Sequence, residues 1–174
     1  IYCLSKWNSE ENYQQIMSYI THICKQSGNK VLDFGGGTGE LSISLATSGL
    51  NVDFIEVTGK TFAYARWRFK KRYLDVNLYT ALPNIEASYD TIVCLDVLET
   101  LENPMSFLNK FYKLLKPHGI LILSLGKVGE KEHPMNLQSN IEFLSNLDDK
   151  CEQIGLQKCY LFQDRFHLKI KQKP

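Results

Sequence analysis

No apolar run in these 174 residues approaches the length that a bilayer needs, and no segment has the pattern of a signal peptide. The chain starts at Ile1 rather than methionine, and a cytoplasmic setting without membrane contact is the expectation. Charge of one sign is also lacking. Twenty basic residues face nineteen acidic ones, for a net charge of +1, so wholesale attraction to nucleic acid or to an acidic membrane is not expected. The five cysteines (Cys3, Cys24, Cys94, Cys151 and Cys159) contain no CxxC pair and no metal-ligand spacing. An odd set of this kind, mostly inside apolar runs, reads as small core residues in a reducing compartment, and no metal site is expected. The chain is too short for two ordinary domains. A single domain over 1–174 is therefore expected, with 1–28 as a helical cap at its start.

What is present is glycine in one place. Val31-Leu32-Asp33-Phe34-Gly35-Gly36-Gly37-Thr38-Gly39-Glu40-Leu41 reads as a buried strand, a glycine-rich turn and the first turn of a helix. Such a turn sets bare backbone amides at a helix N-terminus, where a nucleotide-like ligand can come close to the main chain. The dinucleotide fingerprint asks for glycines at the first, third and sixth places. Counted from Gly35, the third is Gly37 but the sixth is Glu40, so that reading fails. No Gly-Lys-Ser/Thr follows, which excludes a Walker-type phosphate loop.

Around this turn the periodicity predicts a leading helix from Ser9 to about Lys25, with Tyr13, Ile16, Met17, Ile20, Ile23 and Cys24 on one face. Ser9 is its expected N-cap, and Tyr2, Trp7 and Tyr13 are candidates for a lid. A helix over Glu40–Ser48, closed by Gly49, and a strand over Asn51–Val57 complete a βαβ unit. Ligands of open α/β sheets bind outside the carboxyl ends of the strands. Glu56 lies at that end, where its carboxylate can accept from both hydroxyls of a ribose, whereas Asp53 lies near the start and is expected to be solvated. A helix over Thr58–Tyr73 carries the basic run Arg66-Trp67-Arg68-Phe69-Lys70-Lys71-Arg72. Interleaved cations and aromatics can bind RNA, but the outer face of such a helix is normally charged, and a solvated face is the expectation.

Asp75–Thr80 reads as the third strand, and the apolar run from Tyr89 to Leu95 as a central strand buried on both faces. Asn103-Pro104 opens a helix that stops at Lys116-Pro117-His118-Gly119, and Ile120–Leu125 is the next strand. Lys127–Ser139 is an irregular connection. Ser139-Asn140-Ile141-Glu142 has the pattern of a capping box opening a helix with Ile141, Leu144, Leu147, Cys151 and Ile154 on its apolar side. Leu156–Gln163 and Phe166–Lys171 are two closing strands whose short joint implies an antiparallel hairpin.

The order Asp-x-Gly-x-Gly-x-Gly beginning at Asp33 resembles the first motif of class I S-adenosylmethionine-dependent methyltransferases. Tyr89-Asp90, the run Leu95-Asp96-Val97-Leu98-Glu99 and the stretch Leu114-Leu115-Lys116-Pro117-His118-Gly119 resemble its later motifs, nearest the quinone-biosynthesis-type O-methyltransferase branch. The resemblance implies an α/β, Rossmann-like, seven-stranded, mostly parallel sheet whose last strands form an antiparallel hairpin, with helices on both faces. It also implies S-adenosylmethionine as cofactor. On this reading Asp33 meets the methionine amino end, directly or through water, and Gly35, Gly36, Gly37 and Gly39 allow close backbone approach. Glu56 holds the ribose beside Val57, Ala81 and Leu82 contact adenine, and Leu95 and Asp96 line the pocket beyond the fourth strand. The chain departs from the family twice. Ala81-Leu82-Pro83 stands where an acidic residue commonly meets the adenine amino group, and Thr100 follows Glu99 where the branch commonly has histidine. No metal or base role is assigned to Glu99.

Methyl transfer from a sulfonium is mainly a matter of positioning, so no catalytic triad is expected. An oxygen acceptor gains from a general base, and His133, in the Lys127–Ser139 connection, is the candidate. His22, His118 and His167 read as structural. The acceptor is expected to be a small molecule with an oxygen or nitrogen nucleophile. A catalytically inactive S-adenosylmethionine-binding subunit and an RNA methyltransferase remain the alternatives, and the oligomeric state is not legible.

Overall fold

The spacing of apolar residues accounts for the first elements of the computed structural model, which describes residues 11–84, 86–124, 137–162 and 168–174. Met17, Ile20, Ile23 and Cys24 recur at helical spacing, and all four are buried on helix α1 (Glu11–Ser27). Ser9, Tyr2 and Trp7 lie outside the described residues. Helix α1 packs against α2 (Glu40–Thr47), and the Thr21 and Ser44 hydroxyls meet at 3.0 Å between them. Gly49 closes α2 in the left-handed conformation, as expected.

The chain forms two compact units, Ile1–Asn84 and Ile85–Pro174. In the first, β1 (Lys30–Phe34), β2 (Asn51–Ile55) and β3 (Val76–Tyr79) run parallel in the order β3-β2-β1. Asp33 stands opposite Phe54, and Phe34 opposite Ile55, while Ile55 stands opposite Tyr79. Helix α3 (Lys60–Lys71) buries Ala65 and Phe69 against Phe54, with Phe62 packed alongside. The Phe69 ring meets the Phe54 ring edge-on, with centroids 5.3 Å apart.

In the second unit β4 (Tyr89–Leu95) pairs in parallel with β5 (Leu115–Ser124), which pairs antiparallel with β7 (Lys169–Gln172). The short β6 (Gln157–Lys158) pairs antiparallel with β7. The seven strands make one mixed sheet, mostly parallel with a reversed end, as expected. Helix α4 (Pro104–Leu114) begins with proline in its first turn, and the Asn103 side chain accepts from the Ser106 amide at 3.1 Å.

Three expectations are corrected. Asp53 is not solvated: it is 2% exposed, accepts from the Asn77 amide nitrogen at 2.7 Å and lies 3.6 Å from the Lys30 ammonium. A carboxylate mid-strand in a parallel sheet is enclosed by its neighbours and has to be paired there. The capping box does not form, because Ser139 lies in a 3-10 turn (Gln138–Asn140) and no side chain caps the following helix. That helix is also broken into α5 (Ile141–Ser145) and α6 (Leu147–Gln153). The Ser145 hydroxyl and Asn146 amide group both donate to the Glu142 carbonyl at 2.9 Å, taking an acceptor that a continuous helix would use. Ile141, expected on the apolar side, stands at the start of α5 and is 50% exposed.

Candidate functional site

The parallel register of the first unit decides what meets at the carboxyl ends of its strands. With Phe34 opposite Ile55 and Ile55 opposite Tyr79, the glycine turn leaves β1 beside Glu56 and Val57, and Thr80, Ala81 and Leu82 follow β3 on the other flank. Of the residues expected to contact a nucleoside ligand, Asp33, Gly35, Gly36, Gly37, Gly39, Glu56, Val57, Ala81 and Leu82 are brought to one sheet end in this way. Val57, 74% exposed, and Ala81 face solvent, and Leu82 is half-buried.

The turn itself is not a row of bare amides. The Gly35 and Gly36 amides donate to the Ile55 carbonyl at 2.8 and 3.2 Å, and the Gly39 amide to the Gly36 carbonyl at 2.8 Å. The Gly37 amide donates to Glu56 Oε2 at 2.8 Å. Sequence reasoning took free amides as the attraction; the structure spends these four on holding the turn, and what the glycines contribute is room. A Cβ at Gly36 would lie 2.5 Å from Phe54 Cε2 and 2.7 Å from Asp33 Oδ2, whereas one at Gly37 would meet nothing within 4 Å. Gly37 therefore faces open space in a left-handed conformation, φ +56°, which favours glycine.

Asp33 lies under this turn, 3% exposed, and accepts from the Ser42 hydroxyl at 2.6 Å. Burial pushes its carboxyl up to about 6; the Ser42 hydrogen bond acts against that rise, and the neighbouring Glu56 charge adds to it. Glu56 is held at both oxygens, Oε2 by Gly37 and Oε1 by the Val57 amide at 2.9 Å. Each oxygen keeps acceptor capacity beyond those bonds.

Two polar side chains of this site were missed in the sequence. Ser42 is buried on α2 and anchors Asp33. Arg68 was placed on the solvated face of its helix, yet its side chain is only 12% exposed, with Nη1 donating to the Thr38 carbonyl at 2.9 Å and Nη2 to Glu40 at 2.5 Å. Its spacing gave the signal: Arg68 lies three residues after Ala65 and beside Phe69, the two buried residues of α3. The rest of the basic run (Arg66, Lys70, Lys71, Arg72) is exposed as expected.

In the second unit Leu95 ends β4 opposite Ser124, and Asp96 follows. Asp96 holds φ +53°, a conformation L residues rarely adopt. Its amide donates to the Ser124 hydroxyl oxygen at 3.1 Å, and that hydroxyl donates back to Asp96 Oδ1 at 2.7 Å. The 3-10 turn Leu98–Thr100 comes next, with Glu99 buried. The Asn140 side chain donates to the carbonyls of Leu101, Glu99 and Leu98 at 2.8, 3.1 and 3.4 Å, and the Leu137 amide to Glu99 at 2.8 Å. His133 lies outside the described residues.

Comparison with known proteins places this geometry among relatives. A family model described as a methyltransferase domain matches residues 32–121. The ubiquinone biosynthesis O-methyltransferase of Rickettsia canadensis (strain McKiel) is 28% identical over 127 residues, covering 71% of this chain and 52% of the relative. The mitochondrial ubiquinone biosynthesis O-methyltransferase of Schizosaccharomyces pombe is 31% identical over 121 residues, covering 62% of this chain and 43% of the relative. The chain spans about half the length of the curated relatives it matches. Among solved structures, magnesium protoporphyrin IX methyltransferase from Synechocystis PCC 6803, crystallised with S-adenosylmethionine, superposes with a TM-score of 0.69 at 21% identity, over 94% of this chain and 80% of that one. At that identity the likeness is one of fold.

Proposed function

This chain belongs to the methyltransferase domain family, near its quinone-biosynthesis branch, and on that footing we propose that it transfers a methyl group from S-adenosylmethionine to a small-molecule acceptor by in-line displacement. The observation that carries the proposal is the Glu56 carboxylate, fixed by the Gly37 and Val57 amides beside a turn with open space at Gly37. Two oriented oxygens with remaining lone pairs suit the adjacent hydroxyls of a ribose. The buried acid at Asp33 suits a ligand with a cationic end, because a positive charge above the turn favours the ionised carboxylate that burial opposes. The donor set is thus acidic at both ends and bare in the middle, which fits an aminoacyl nucleoside carrying positive charge.

S-adenosylmethionine, when bound, supplies a methyl group already activated on a sulfonium. The chain's own residues then have to bind, orient and exclude water. Glu56 anchors one end, Asp33 contributes charge from beneath the turn, and Gly35, Gly36, Gly37 and Gly39 leave room for the main chain to be approached. Val57, Ala81 and Leu82 offer apolar and backbone contact for the base, in place of an acidic partner. Leu95 and Asp96 are proposed to line the pocket at the end of β4. Holding donor and acceptor in attack geometry can supply roughly 7–11 kcal/mol of barrier reduction in favourable cases. The relatives' O-methylation in quinone biosynthesis favours an oxygen acceptor, for which His133 is the proposed general base. We further propose that 1–174 acts as a single donor-binding domain with 1–28 as its cap, in the cytoplasm. Among the described residues no helix is long and apolar enough to cross a membrane.

Calorimetric titration with S-adenosylmethionine and with S-adenosylhomocysteine tests the donor assignment, and both are expected to bind. Binding of neither overturns it. Methyl transfer from labelled S-adenosylmethionine into a small-molecule extract is the expected second result; binding without any transfer would favour an inactive donor-binding subunit.

A further inference from the structure

The glycine turn has more freedom than its internal bonds remove. Four glycines lose much conformational entropy on being ordered, and Gly37 and Gly39 sit in the left-handed region at φ +56° and +79°. Inside the turn, the Gly39 amide is tied to the Gly36 carbonyl, and the Gly37 amide to Glu56. The Thr38 carbonyl between them is held from outside, by Arg68 on helix α3 at 2.9 Å. The same guanidinium bonds Glu40, the first residue of α2, at 2.5 Å. One residue further along α3, the Phe69 ring fills the space above Gly39, where a Cβ would lie 2.5 Å from Phe69 Cζ.

We propose that Arg68 is a positioning residue of the donor site, a two-armed latch that fixes the Gly36–Gly39 turn and the start of α2 from helix α3. This rests on the methyl-donor reading above. A planar guanidinium can donate along two directions at once, so it can join a carbonyl and a carboxylate that a single ammonium cannot hold in the same geometry. Its neighbours in the basic run behave otherwise: Arg66 and Lys70 are exposed, and the Lys71 ammonium lies over the Trp67 ring, 4.9 Å from its centroid. Only the cation in register with Ala65 and Phe69 is turned to the core. Helix α3 follows Glu56 after a three-residue link, so the side-chain ties of Glu56 to Gly37 and of Arg68 to Thr38 come from the same stretch of chain as the Ile55 carbonyl that holds Gly35 and Gly36.

The test compares wild type with Arg68→Ala, Arg68→Lys, Glu40→Gln and Arg66→Ala. S-adenosylhomocysteine affinity is measured by calorimetry, and amide hydrogen exchange is followed at Gly37 and Gly39 and in β1 and β2. Arg68→Ala is expected to weaken binding by about tenfold or more, the scale of losing bonds to a charged group. Exchange at Gly37 and Gly39 is expected to quicken while the strands stay protected. Arg68→Lys should recover only part of the affinity, Glu40→Gln should lose less and add nothing to Arg68→Ala, and Arg66→Ala, an equal loss of charge, should bind as wild type does. Wild-type affinity in Arg68→Ala overturns the latch, as does an equal loss in Arg66→Ala or a loss of protection throughout the strands. Wild-type protein that binds neither S-adenosylmethionine nor S-adenosylhomocysteine overturns the donor reading, and the donor role of Arg68 with it.

Discussion

The carboxyl end of β1 and the carboxyl end of β4 solve the same problem with different materials. At β1 the chain turns on glycines at left-handed φ, and the turn is shaped by contacts that leave no space for a side chain at Gly36 or Gly39. At β4 the left-handed position is taken by Asp96, a residue with a Cβ, held by reciprocal hydrogen bonds with Ser124. The first end is shaped by what is missing from its side chains and tied from outside by Glu56 and Arg68. The second is made by side chains that come from far along the sequence, Ser124 twenty-eight positions away and Asn140 about forty. The end at β1 is broken by adding a side chain at Gly36 and loosened by removing the Arg68 tie, whereas the end at β4 has no glycine to crowd and is vulnerable to removal alone.

That contrast predicts opposite weaknesses. Gly36→Ala should cost about 3 kcal/mol or more in urea denaturation, because the new methyl group meets a fully buried ring and a buried carboxylate. Gly37→Ala, with open space but a left-handed φ, should cost only about 1 kcal/mol. Equal costs at the two positions would break the claim that packing shapes this turn.

Asp33→Asn is expected to act in the stabilising direction. The carboxyl is held near 6 in the folded protein, above its ordinary 3.8, so the folded state binds the proton more tightly than the unfolded one. Stability from this group is therefore full below about pH 4 and declines as pH rises through about 6. At pH 7 the asparagine variant should be more stable than wild type by roughly 2–3 kcal/mol, with the gain gone near pH 4, while S-adenosylmethionine affinity falls. A stability difference that does not change with pH would remove the buried charge as the cause.

The second end should yield to deletion. Asn140→Ala removes the donor shared by the Leu98, Glu99 and Leu101 carbonyls and should cost about 1–2 kcal/mol, read by denaturation. No measurable cost would mean that this turn stands without its long-range tie.

The donor side was legible because its signals are local. Asp33, the glycines and Glu56 sit within twenty-four consecutive residues, and parallel pairing of adjacent strands carries β1's turn to β2's end with no further information. The helix face of α1 followed from apolar spacing in the same way, and the reversed strand at the end of the sheet from the short joint expected between the closing strands. Polar side chains were read less well. Asp53 looked exposed because a carboxylate in a strand gives no hint of the Asn77 amide that donates to it or the Lys30 ammonium that pairs with it across the sheet. Ser139-Asn140-Ile141-Glu142 looked like a capping box because the motif is local, but the carbonyls competing for Asn140 are not.

The glycine pattern and its spacing from Asp33 and Glu56 pointed to a nucleoside-like ligand, since glycine permits a backbone conformation that other residues resist, wherever it occurs, and the resemblance of this and the later motifs to class I methyltransferases supplied the donor. Which hydrogen bonds that backbone would make was settled only by folding. The amides expected to be free were turned onto Ile55 and Glu56, and a basic residue expected in solvent was turned onto Thr38 and Glu40. Conformational preference is a property of each residue, but a polar group's partner is whatever the tertiary structure brings within about three ångströms of it.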